Sequence, residues 1–406
     1  MDIKTIKSQF PIFSKKINGK SLVYLDSSNS SQKPISVLKS LDYFYKNEFS
    51  NIGRSIHSLA VNATNKFEET RASVKNFINA KSKEEIIFTK NATESINLVA
   101  STFGQQNIKK GDEILITELE HHSNYVPWHY LRLTKGAVIK FAPINQNGDI
   151  EIDKFRELIT PKTKIIAVTH LSNVTGTIVP IKEIVEIAHK KNIPVLVDGC
   201  QSAPHIKIDV RDLDCDFYAI SGHKVYGPTG VGILYAKKKW LEKLPPYIGG
   251  GGMISEVNKD KITYAGIPEK YEAGTMPTAE VIAFNESIKF MQSIGIQNII
   301  EHEKELTNYA LEKLKKINSV KIIGNPINKA GVISFVIKGI HPHDISTIVD
   351  EEGVAIRAGH HCCQILHTRL NLSATARASF GVYNSKEDID ILCKAIEKCR
   401  KVFDLK

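Results

Sequence analysis

A lysine and an aspartate stand where two apolar stretches of the sequence end. Asp198 follows the run IPVLV, and Lys224 closes Ser221-Gly222-His223-Lys224 after the run CDFYAI. The two residues are 224 − 198 = 26 positions apart. A carboxylate at the tip of a buried strand is costly unless a cation pairs with it, and a lysine in this setting is unusual for a solvated charge. Both residues are therefore candidates for chemistry.

Further polar residues follow other strand ends: Ala92 and Thr93 after IIFT, His121 after DEILIT, Asn173 after KIIAVTHLS, and Gln201 soon after Asp198. Each has an ordinary alternative, such as a helix N-cap for Thr93 or a turn for Asn173. Together they match pyridoxal phosphate, which needs a lysine for an imine, a carboxylate for its ring nitrogen and donors for its phosphate. Lys224 would then serve as acid and base at the substrate Cα.

A second cluster comprises Arg357-Ala358-Gly359-His360-His361-Cys362-Cys363, followed by Arg377 in SATARASF. Adjacent His and Cys residues chelate one ion poorly, because zinc ligands are normally spaced along the chain. We therefore expect no metal. A thiol on a glycine-containing loop near arginine and histidine is typical of a low-pKa nucleophile. Arg377 suits a bidentate clamp on a substrate α-carboxylate.

The elements that position these residues alternate in type. EEIIFT, DEILIT, KIIAVTHLS, IPVLVDG, CDFYAIS and VGILYA predict strands, and TESINLVASTF and IKEIVEIAHKK predict helices between them. This alternation indicates an α/β fold with a mostly parallel sheet, in which ligands bind at the carboxyl ends of strands. From about residue 295, two long helices flank short strands such as GVISFVI. We expect residues 1–25 to join a small α+β domain at 295–406, and 26–294 to form the large domain.

Composition excludes several classes of function. The net charge of +10 is spread over the chain without a basic cluster interleaved with aromatics, so we expect no nucleic-acid binding. No stretch approaches the apolar length of a membrane span. The N-terminal MDIKTIKSQFPIF resembles neither a signal nor a transit peptide. Six cysteines are too few for a disulfide framework. A cytoplasmic location is expected.

Several motifs carry a family resemblance. KNATESIN, EHHSNYVPW, VDGCQ, SGHKVYGPTG, EAGT and RAGHHC occur in this order, and together they resemble the group II (Suf-type) cysteine desulfurases. These belong to the class V branch of fold-type I pyridoxal-phosphate enzymes. The short loop, with Cys362 five residues after Arg357, is similar to group II. The resemblance implies a homodimer that converts L-cysteine to L-alanine and leaves the sulfur as a persulfide on Cys362 for iron–sulfur cluster assembly.

The resemblance also implies a role for each matching residue. Lys224 would form the Schiff base, Asp198 would pair with the ring nitrogen, and His121 would stack on the ring. The phosphate would be held by Ala92, Thr93, Ser221 and His223, with Thr275 from the partner subunit. Gln201 and Asn173 would reach the ring hydroxyl or the substrate. Arg377 would bind the substrate carboxylate, with Asn173 and Arg357 nearby.

Some positions depart from the family pattern or suggest a partner. The family usually has alanine at one or both of positions 28 and 29, in a stretch that lines the substrate pocket. Asn29 adds bulk and polarity there, so we expect lower turnover or altered substrate preference. Cys363 beside the nucleophile is unusual. Ile340-His341-Pro342-His343-Asp344 resembles relatives that deliver sulfur to a zinc-containing, scaffold-like acceptor, in which a histidine at the place of His343 takes over a zinc ligand. An ordinary histidine before a helix is the alternative.

Three other functions compete with this interpretation. A selenocysteine lyase shares the scaffold and the reaction. An aminotransferase of the same branch needs no loop cysteine. A catalytically weak, partner-binding homologue would not need Lys224, Asp198, Cys362 and Arg377, all of which are retained.

Overall fold

A seven-stranded sheet forms the centre of the larger part of the molecule, in a computed structural model that describes residues 1–405. Its strands lie in the spatial order Ile86–Thr89, Gly232–Ala236, Phe217–Ser221, Val195–Asp198, Thr163–Thr169, Glu113–Thr117 and Val138–Ala142. Only Gly232–Ala236 pairs antiparallel with its neighbours, and the other four pairings are parallel. The predicted mostly parallel sheet is confirmed, including all six strands expected from the sequence.

The strand at Val138–Ala142 was not expected. It lies at the edge of the sheet and is only partly buried. Lys140 interrupts its apolar pattern, and the Lys140 ammonium pairs with Glu113 on the neighbouring strand at 2.9 Å. An edge strand needs less apolar surface than a central one, so its sequence signal is weaker.

Both faces of the sheet are buried. Successive side chains of a strand point to opposite faces, so they belong to different hydrophobic clusters. Ile86 and Phe88 belong to one hydrophobic cluster, whereas Ile87 between them belongs to another. Helices and short helical segments at Ile35–Asn47, Ser58–Phe77, Ala92–Asn107, Val126–Lys135, Ile152–Leu158, Ile181–His189, Val210–Leu213, Lys238–Lys243 and Thr278–Ile294 accompany it. Both helices expected from the sequence between the strands are among them.

A four-stranded antiparallel sheet lies in the C-terminal part, in the order Val320–Ile323, Val332–Ile337, Thr375–Ser379 and Arg357–Gly359. The helices Ile296–Lys315, Pro342–Glu351, Gln364–Arg369 and Lys386–Val402 accompany it. Its core is a separate hydrophobic cluster that also includes Val23 and Leu25. The strand Val23–Tyr24 pairs in parallel with Val354–Ala355.

The N-terminal segment therefore contacts the C-terminal part. The boundaries at 25 and 294 stay a prediction, and Lys406 lies outside the described residues. The remaining elements are the helix Ile3–Ser8, the hairpin Lys16–Ile17 with Lys20–Ser21, the hairpin Ile254–Val257 with Ile262–Tyr264, and the short helical turns Pro11–Ser14, Lys83–Glu85, His122–Asn124, Gly222–Lys224 and Glu269–Tyr271. No helix within residues 1–405 has the length and apolarity needed to cross a bilayer.

Candidate active site

One cavity of about 290 Å³ collects most of the residues singled out from the sequence. Its lining comprises Ser28, Asn29, Asn91, Ala92, Thr93, His121, Ser123, Thr169, Leu171, Asn173, Asp198, Cys200, Gln201, Ser221, His223, Lys224, Arg357, Cys362 and Arg377. Of the expected site residues, only Thr275 and His343 lie elsewhere, and both are exposed. The cavity lies between two groups of residues, which we call the strand-end wall (Ala92, Thr93, His121, Asp198 and Lys224) and the cysteine-loop wall (Asn29, Arg357, Cys362 and Arg377).

Lys224 and Asp198 sit where two adjacent parallel strands end. Asp198 is the last residue of Val195–Asp198, and Lys224 ends the short turn Gly222–Lys224 that follows Phe217–Ser221. One oxygen of the buried Asp198 carboxylate accepts the N–H of Cys200 at 3.0 Å. Asp198 takes part in none of the buried salt bridges within residues 1–405. A cationic group bound in the cavity would therefore satisfy it.

The turn that carries Lys224 is anchored by residues that the sequence did not single out. The carbonyl of His223 accepts hydrogen bonds from the Lys33 ammonium at 2.8 Å and from the Ser31 N–H and hydroxyl, both at 3.1 Å. Burial lowers the pKa of Lys33 to about 7. These contacts fix the backbone immediately before Lys224.

The N-terminus of the helix Ala92–Asn107 opens onto the same cavity. The Ala92 N–H donates to the Ser221 hydroxyl at 2.9 Å, and the Thr93 and Ser123 hydroxyls are 2.8 Å apart. A Cβ at Gly232 would lie 2.4 Å from the Asn91 backbone carbon, so only glycine lets the strand approach this turn. Hydroxyls and N–H groups at a helix N-terminus suit an anion such as phosphate.

His121 is held as a neutral imidazole. The Ser123 N–H donates to its Nδ1 at 3.1 Å, which leaves the proton on Nε2. Burial, followed by the nearby Lys224 charge, lowers the pKa of His121 to about 3. The ring therefore lines the cavity without a charge at neutral pH, as a flat face that an aromatic ligand could stack on.

The cysteine loop follows the strand Arg357–Gly359. The thiol of the half-buried Cys362 lies 3.8 Å from the Arg357 guanidinium. Contacts with the other wall hold the loop: the Asn173 side chain donates to the His361 carbonyl, and the His122 N–H donates to the Cys362 carbonyl, each at 2.7 Å. A cysteine beside a guanidinium is in an electropositive setting suited to a nucleophile.

The neighbouring Cys363 is differently placed. Its side chain is fully buried, and its thiol donates to the carbonyls of Leu119 and Glu120 at 3.3 Å. Burial raises the pKa of this thiol, and Cys363 is absent from the cavity lining. The structure therefore gives Cys362 and Cys363 different environments, although they are adjacent in the sequence.

Arg377 is buried and paired. Its guanidinium contacts Asp26 at 2.9 Å and donates to the Asn173 carbonyl at 3.1 Å, while burial lowers its pKa and Asp26 opposes that effect. Arg357 lies directly opposite Arg377 on the neighbouring antiparallel strand. Asn29 accepts from Arg357 at 2.6 Å and donates to Asp26 at 3.1 Å. Asn29 thus links the two arginines through Asp26.

Three buried polar atoms of the cavity wall have no hydrogen-bond partner: Ser28 Oγ, Gln201 Oε1 and Arg377 Nε. Buried polar atoms are nearly always satisfied, so unpartnered ones in one cavity indicate a polar ligand. With a lysine, an unpaired carboxylate, a neutral imidazole and an anion site, the residues fit pyridoxal phosphate. Within residues 1–405, no group of three or more His, Cys, Asp or Glu is arranged to hold a metal ion.

Sequence reasoning missed several residues of this site. Asp26 and Ser28 lie within three residues of Asn29 in the sequence, and Ser123 lies two residues after His121. Each is a common polar type without a distinctive spacing, so only its position relative to a recognised residue could have indicated it. Their contacts depend on chain segments that are distant in sequence.

Comparisons with known proteins agree with this geometry. Residues 23–392 match the aminotransferase class-V family. Over 403 residues, the chain is 48% identical to a probable cysteine desulfurase of Halalkalibacterium halodurans, covering 99% of both chains. It is also 48% identical to one of Staphylococcus epidermidis, covering 99% of this chain and 98% of the relative.

Solved structures give the same result. The crystal structure of the cysteine desulfurase CsdA of Escherichia coli superposes with a TM-score of 0.93 at 35% identity, covering 99% of both chains. A cysteine desulfurase of Thermococcus onnurineus gives a TM-score of 0.93 at 35% identity, covering 98% of both. The chain belongs to the class V aminotransferase family, whose fold is that of fold-type I pyridoxal-phosphate enzymes. Within that family it is a pyridoxal-phosphate-dependent cysteine desulfurase.

Proposed function

We propose that the cavity removes sulfur from L-cysteine, releases L-alanine and leaves the sulfur as a persulfide on Cys362. The observation that carries this proposal is that Lys224 and Cys362 line the same cavity from opposite walls. A lysine suited to an imine and a thiol suited to nucleophilic attack could thus reach the same substrate.

The residues of the strand-end wall would hold the coenzyme. Lys224 would attach it, Asp198 would keep its ring nitrogen protonated, and neutral His121 would stack on the ring. Ala92, Thr93, Ser221 and His223 would hold the phosphate, and Gln201 would offer its unpartnered Oε1 to the ring hydroxyl. Bound there, pyridoxal phosphate supplies an electron sink for charge that develops at the substrate Cα.

The cysteine-loop wall would hold the substrate. The unpartnered Arg377 Nε, buried within the cavity wall, supports a role for this guanidinium in binding the α-carboxylate. Asn173 would assist, because its carbonyl already accepts from Arg377. Arg357, within 3.8 Å of the Cys362 thiol, would stay close to the sulfur.

In the proposed reaction the atoms and electrons balance, with each step carried out by a residue of this chain. Lys224 would remove and return the proton at Cα. Cys362 would attack the substrate sulfur, so that an S–S bond forms while the bond from sulfur to Cβ breaks, and the electron pair stays with the carbon fragment. The thiol proton of Cys362 ends on the new methyl group. Sulfur is oxidised to a persulfide while Cβ is reduced, so no external oxidant is required.

The direct test is incubation with L-cysteine and a reductant, following alanine and sulfide for the parent and for Cys362→Ser. We expect alanine formation to fall by at least about 100-fold in the variant, since a hydroxyl is a far weaker nucleophile than a thiolate. The matched control is Cys363→Ser at the buried neighbour, which should keep most of the activity. Parental alanine formation by Cys362→Ser would refute the persulfide assignment.

A homodimer is supported by exposed apolar side chains around the helices Ile35–Asn47 and Ser58–Phe77. Tyr45 and Phe49 stack at 5.4 Å on the surface, and Leu38 and Leu59 are also exposed. Large exposed apolar side chains of this kind are typical of an interaction site. Thr275 is exposed and would reach the partner's phosphate site. Light scattering should give twice the mass of one chain, and a monomer would contradict the proposal.

The sulfur acceptor is proposed from His343. Its side chain is exposed in the first turn of the helix Pro342–Glu351, 4.9 Å from the His341 ring. An exposed imidazole is a suitable zinc ligand, which supports a zinc-containing, scaffold-like acceptor. His343→Ala should abolish stimulation by such an acceptor and leave basal alanine production intact. Unchanged stimulation would rule this acceptor out.

Delivery of this sulfur to iron–sulfur cluster assembly in the cytoplasm completes the proposal. All six cysteines are free thiols, as a reducing compartment would keep them. Stimulation of cluster formation on an apo-scaffold by the parent, and not by Cys362→Ser, would support this destination.

A further inference from the structure

The loop that carries Cys362 has an unusual backbone. His361 and Cys362 have φ angles of 53° and 55°, so two consecutive non-glycine residues adopt the left-handed conformation. This conformation is unfavourable for L-residues and persists only where surrounding contacts impose it. The contacts that impose it here therefore matter for the placement of the thiol.

Three buried side chains beneath the loop form a continuous hydrogen-bonded series. His361 Nε2 and Thr375 Oγ1 are 2.9 Å apart, and Thr375 Oγ1 and His367 Nε2 are 3.1 Å apart. His367 Nδ1 lies 3.0 Å from the Cys363 carbonyl. All three side chains are at most 2% exposed. None of them lines the cavity.

The proton positions in this series follow from its chemistry. The Cys363 carbonyl can only accept, so His367 carries its proton on Nδ1, and burial lowers the pKa of His367. A neutral His367 then accepts on Nε2 from the single hydroxyl proton of Thr375. The Thr375 oxygen must in turn accept from His361 Nε2–H. One hydroxyl thus satisfies two imidazoles, which only a serine or threonine at this position allows.

We propose that the series His361–Thr375–His367 is a positioning device that holds the Cys362 loop in its left-handed conformation and presents the thiol to the substrate sulfur. This inference rests on the proposed role of Cys362. The series fixes the loop from below at His361 and at the Cys363 carbonyl, the two residues that flank the nucleophile. Asn173 and His122 hold the same loop from the large-sheet side of the cavity, through hydrogen bonds to the His361 and Cys362 carbonyls.

The unpartnered nitrogen of His361 supports this arrangement. Its Nδ1 is buried without a hydrogen bond, and burial together with the nearby Arg377 charge lowers the pKa of His361 to about 2. His361 therefore stays neutral throughout the working pH range. The loop is held by neutral hydrogen bonds whose direction is fixed.

The test compares Thr375→Val, which removes the hydroxyl at nearly constant volume, with Thr375→Ser, which keeps it. In the holoenzyme mixed once with L-cysteine, the absorbance change of the bound coenzyme reports substrate binding, and mass analysis of the Cys362 peptide reports persulfide. We expect Thr375→Val to slow persulfide formation about tenfold, the effect of one buried hydrogen bond. The binding phase should stay at the parental rate, and Thr375→Ser should restore persulfide formation.

Hydrogen exchange without substrate provides a readout that does not depend on the reaction. The peptide spanning 357–366 should exchange faster in Thr375→Val and at the parental rate in Thr375→Ser. If Thr375→Val does not fold, His367→Phe is the deciding variant. We expect it to slow persulfide formation about threefold, because Thr375 still accepts a hydrogen bond from His361.

Parental persulfide formation in the valine variant, or equal slowing of the binding phase, would overturn the proposal. So would a serine variant as slow as the valine variant. Failure of the proposed function is recognised separately, because it would show as parental desulfuration by Cys362→Ser.

Discussion

The strand-end wall and the cysteine-loop wall face the same cavity but are built by different means. Lys224 and Asp198 are placed by the ends of adjacent buried strands, where the backbone ladder fixes position. Cys362 lies on a loop with left-handed residues that side-chain hydrogen bonds hold in place. Binding of a coenzyme by Lys224 and Asp198, as proposed, would benefit from the rigid setting, and the proposed passing of sulfur onward by Cys362 would benefit from a loop.

The two walls also differ in their charged side chains. On the strand-end wall, burial keeps His121 neutral. Asp198 forms no salt bridge with a side chain of residues 1–405. On the cysteine-loop wall, Arg377 is paired with Asp26, and Arg357 contacts both Asn29 and the Cys362 thiol. The first wall therefore offers Asp198 to a cationic ligand group and the helix N-terminus at Ala92 and Thr93 to an anionic one. The second wall offers positive charge to an anionic ligand group.

The largest expected effect comes from breaking the strand-end wall at Lys224. Lys224→Ala should lower alanine formation on the order of 10³-fold or more, because it removes both the coenzyme attachment and the acid/base group. Borohydride treatment should fix the coenzyme to the parent and to Cys362→Ser, but not to Lys224→Ala. Covalent fixation in the Lys224 variant would assign attachment to another lysine.

A smaller effect is expected at Asn29 on the cysteine-loop wall. Asn29→Ala removes the 2.6 Å acceptor of Arg357, so we expect kcat/KM for L-cysteine to fall about tenfold. Asn29→Asp keeps the acceptor for Arg357 but loses the donor to Asp26, so its kinetics separate the two contacts. Higher turnover in the alanine variant would instead support the view that the bulk of Asn29 limits the pocket. Kinetics equal to those of the parent would contradict both views.

The smallest expected effect is on stability as a function of pH. The folded-state pKa values of His121 and His361 are about 3 and about 2, below the ordinary 6.5. The unfolded chain therefore binds more protons below pH 6.5, and the free energy of unfolding falls as pH decreases from 6.5 toward these values. Between about pH 7 and about pH 5, each histidine should cost on the order of 1 kcal/mol.

Urea unfolding of the parent, His121→Asn and His361→Asn checks this expectation. Each variant should show a shallower loss of stability between the two pH values, even if its stability at neutral pH is lower. His121 lines the cavity, whereas His361 is buried next to Cys362 in the loop. Similar changes in slope would therefore show that both parts of the site bury neutral imidazoles. A slope equal to that of the parent would mean that the substituted histidine does not titrate in this way.

The sequence singled out every residue of both walls, but it predicted how the residues are placed only for the strand-end wall. Strand periodicity located six of the seven strands, and residues that follow parallel strands share one edge of the sheet, so Lys224, Asp198, His121 and Thr93 could be placed together. Asp26 and Thr375 contact the cysteine loop and Arg377 from positions remote in sequence. No local pattern encodes such contacts.

The amino-acid sequence by itself determined the α/β architecture, the coenzyme class and the residue types of the site, because these follow from periodicity and from motifs of a few neighbouring residues. The tertiary structure alone decided that Cys363 is buried away from the cavity, which carboxylate pairs with Arg377, and which imidazoles are neutral. Burial and hydrogen-bond partners set those properties, and both arise only when distant segments pack together.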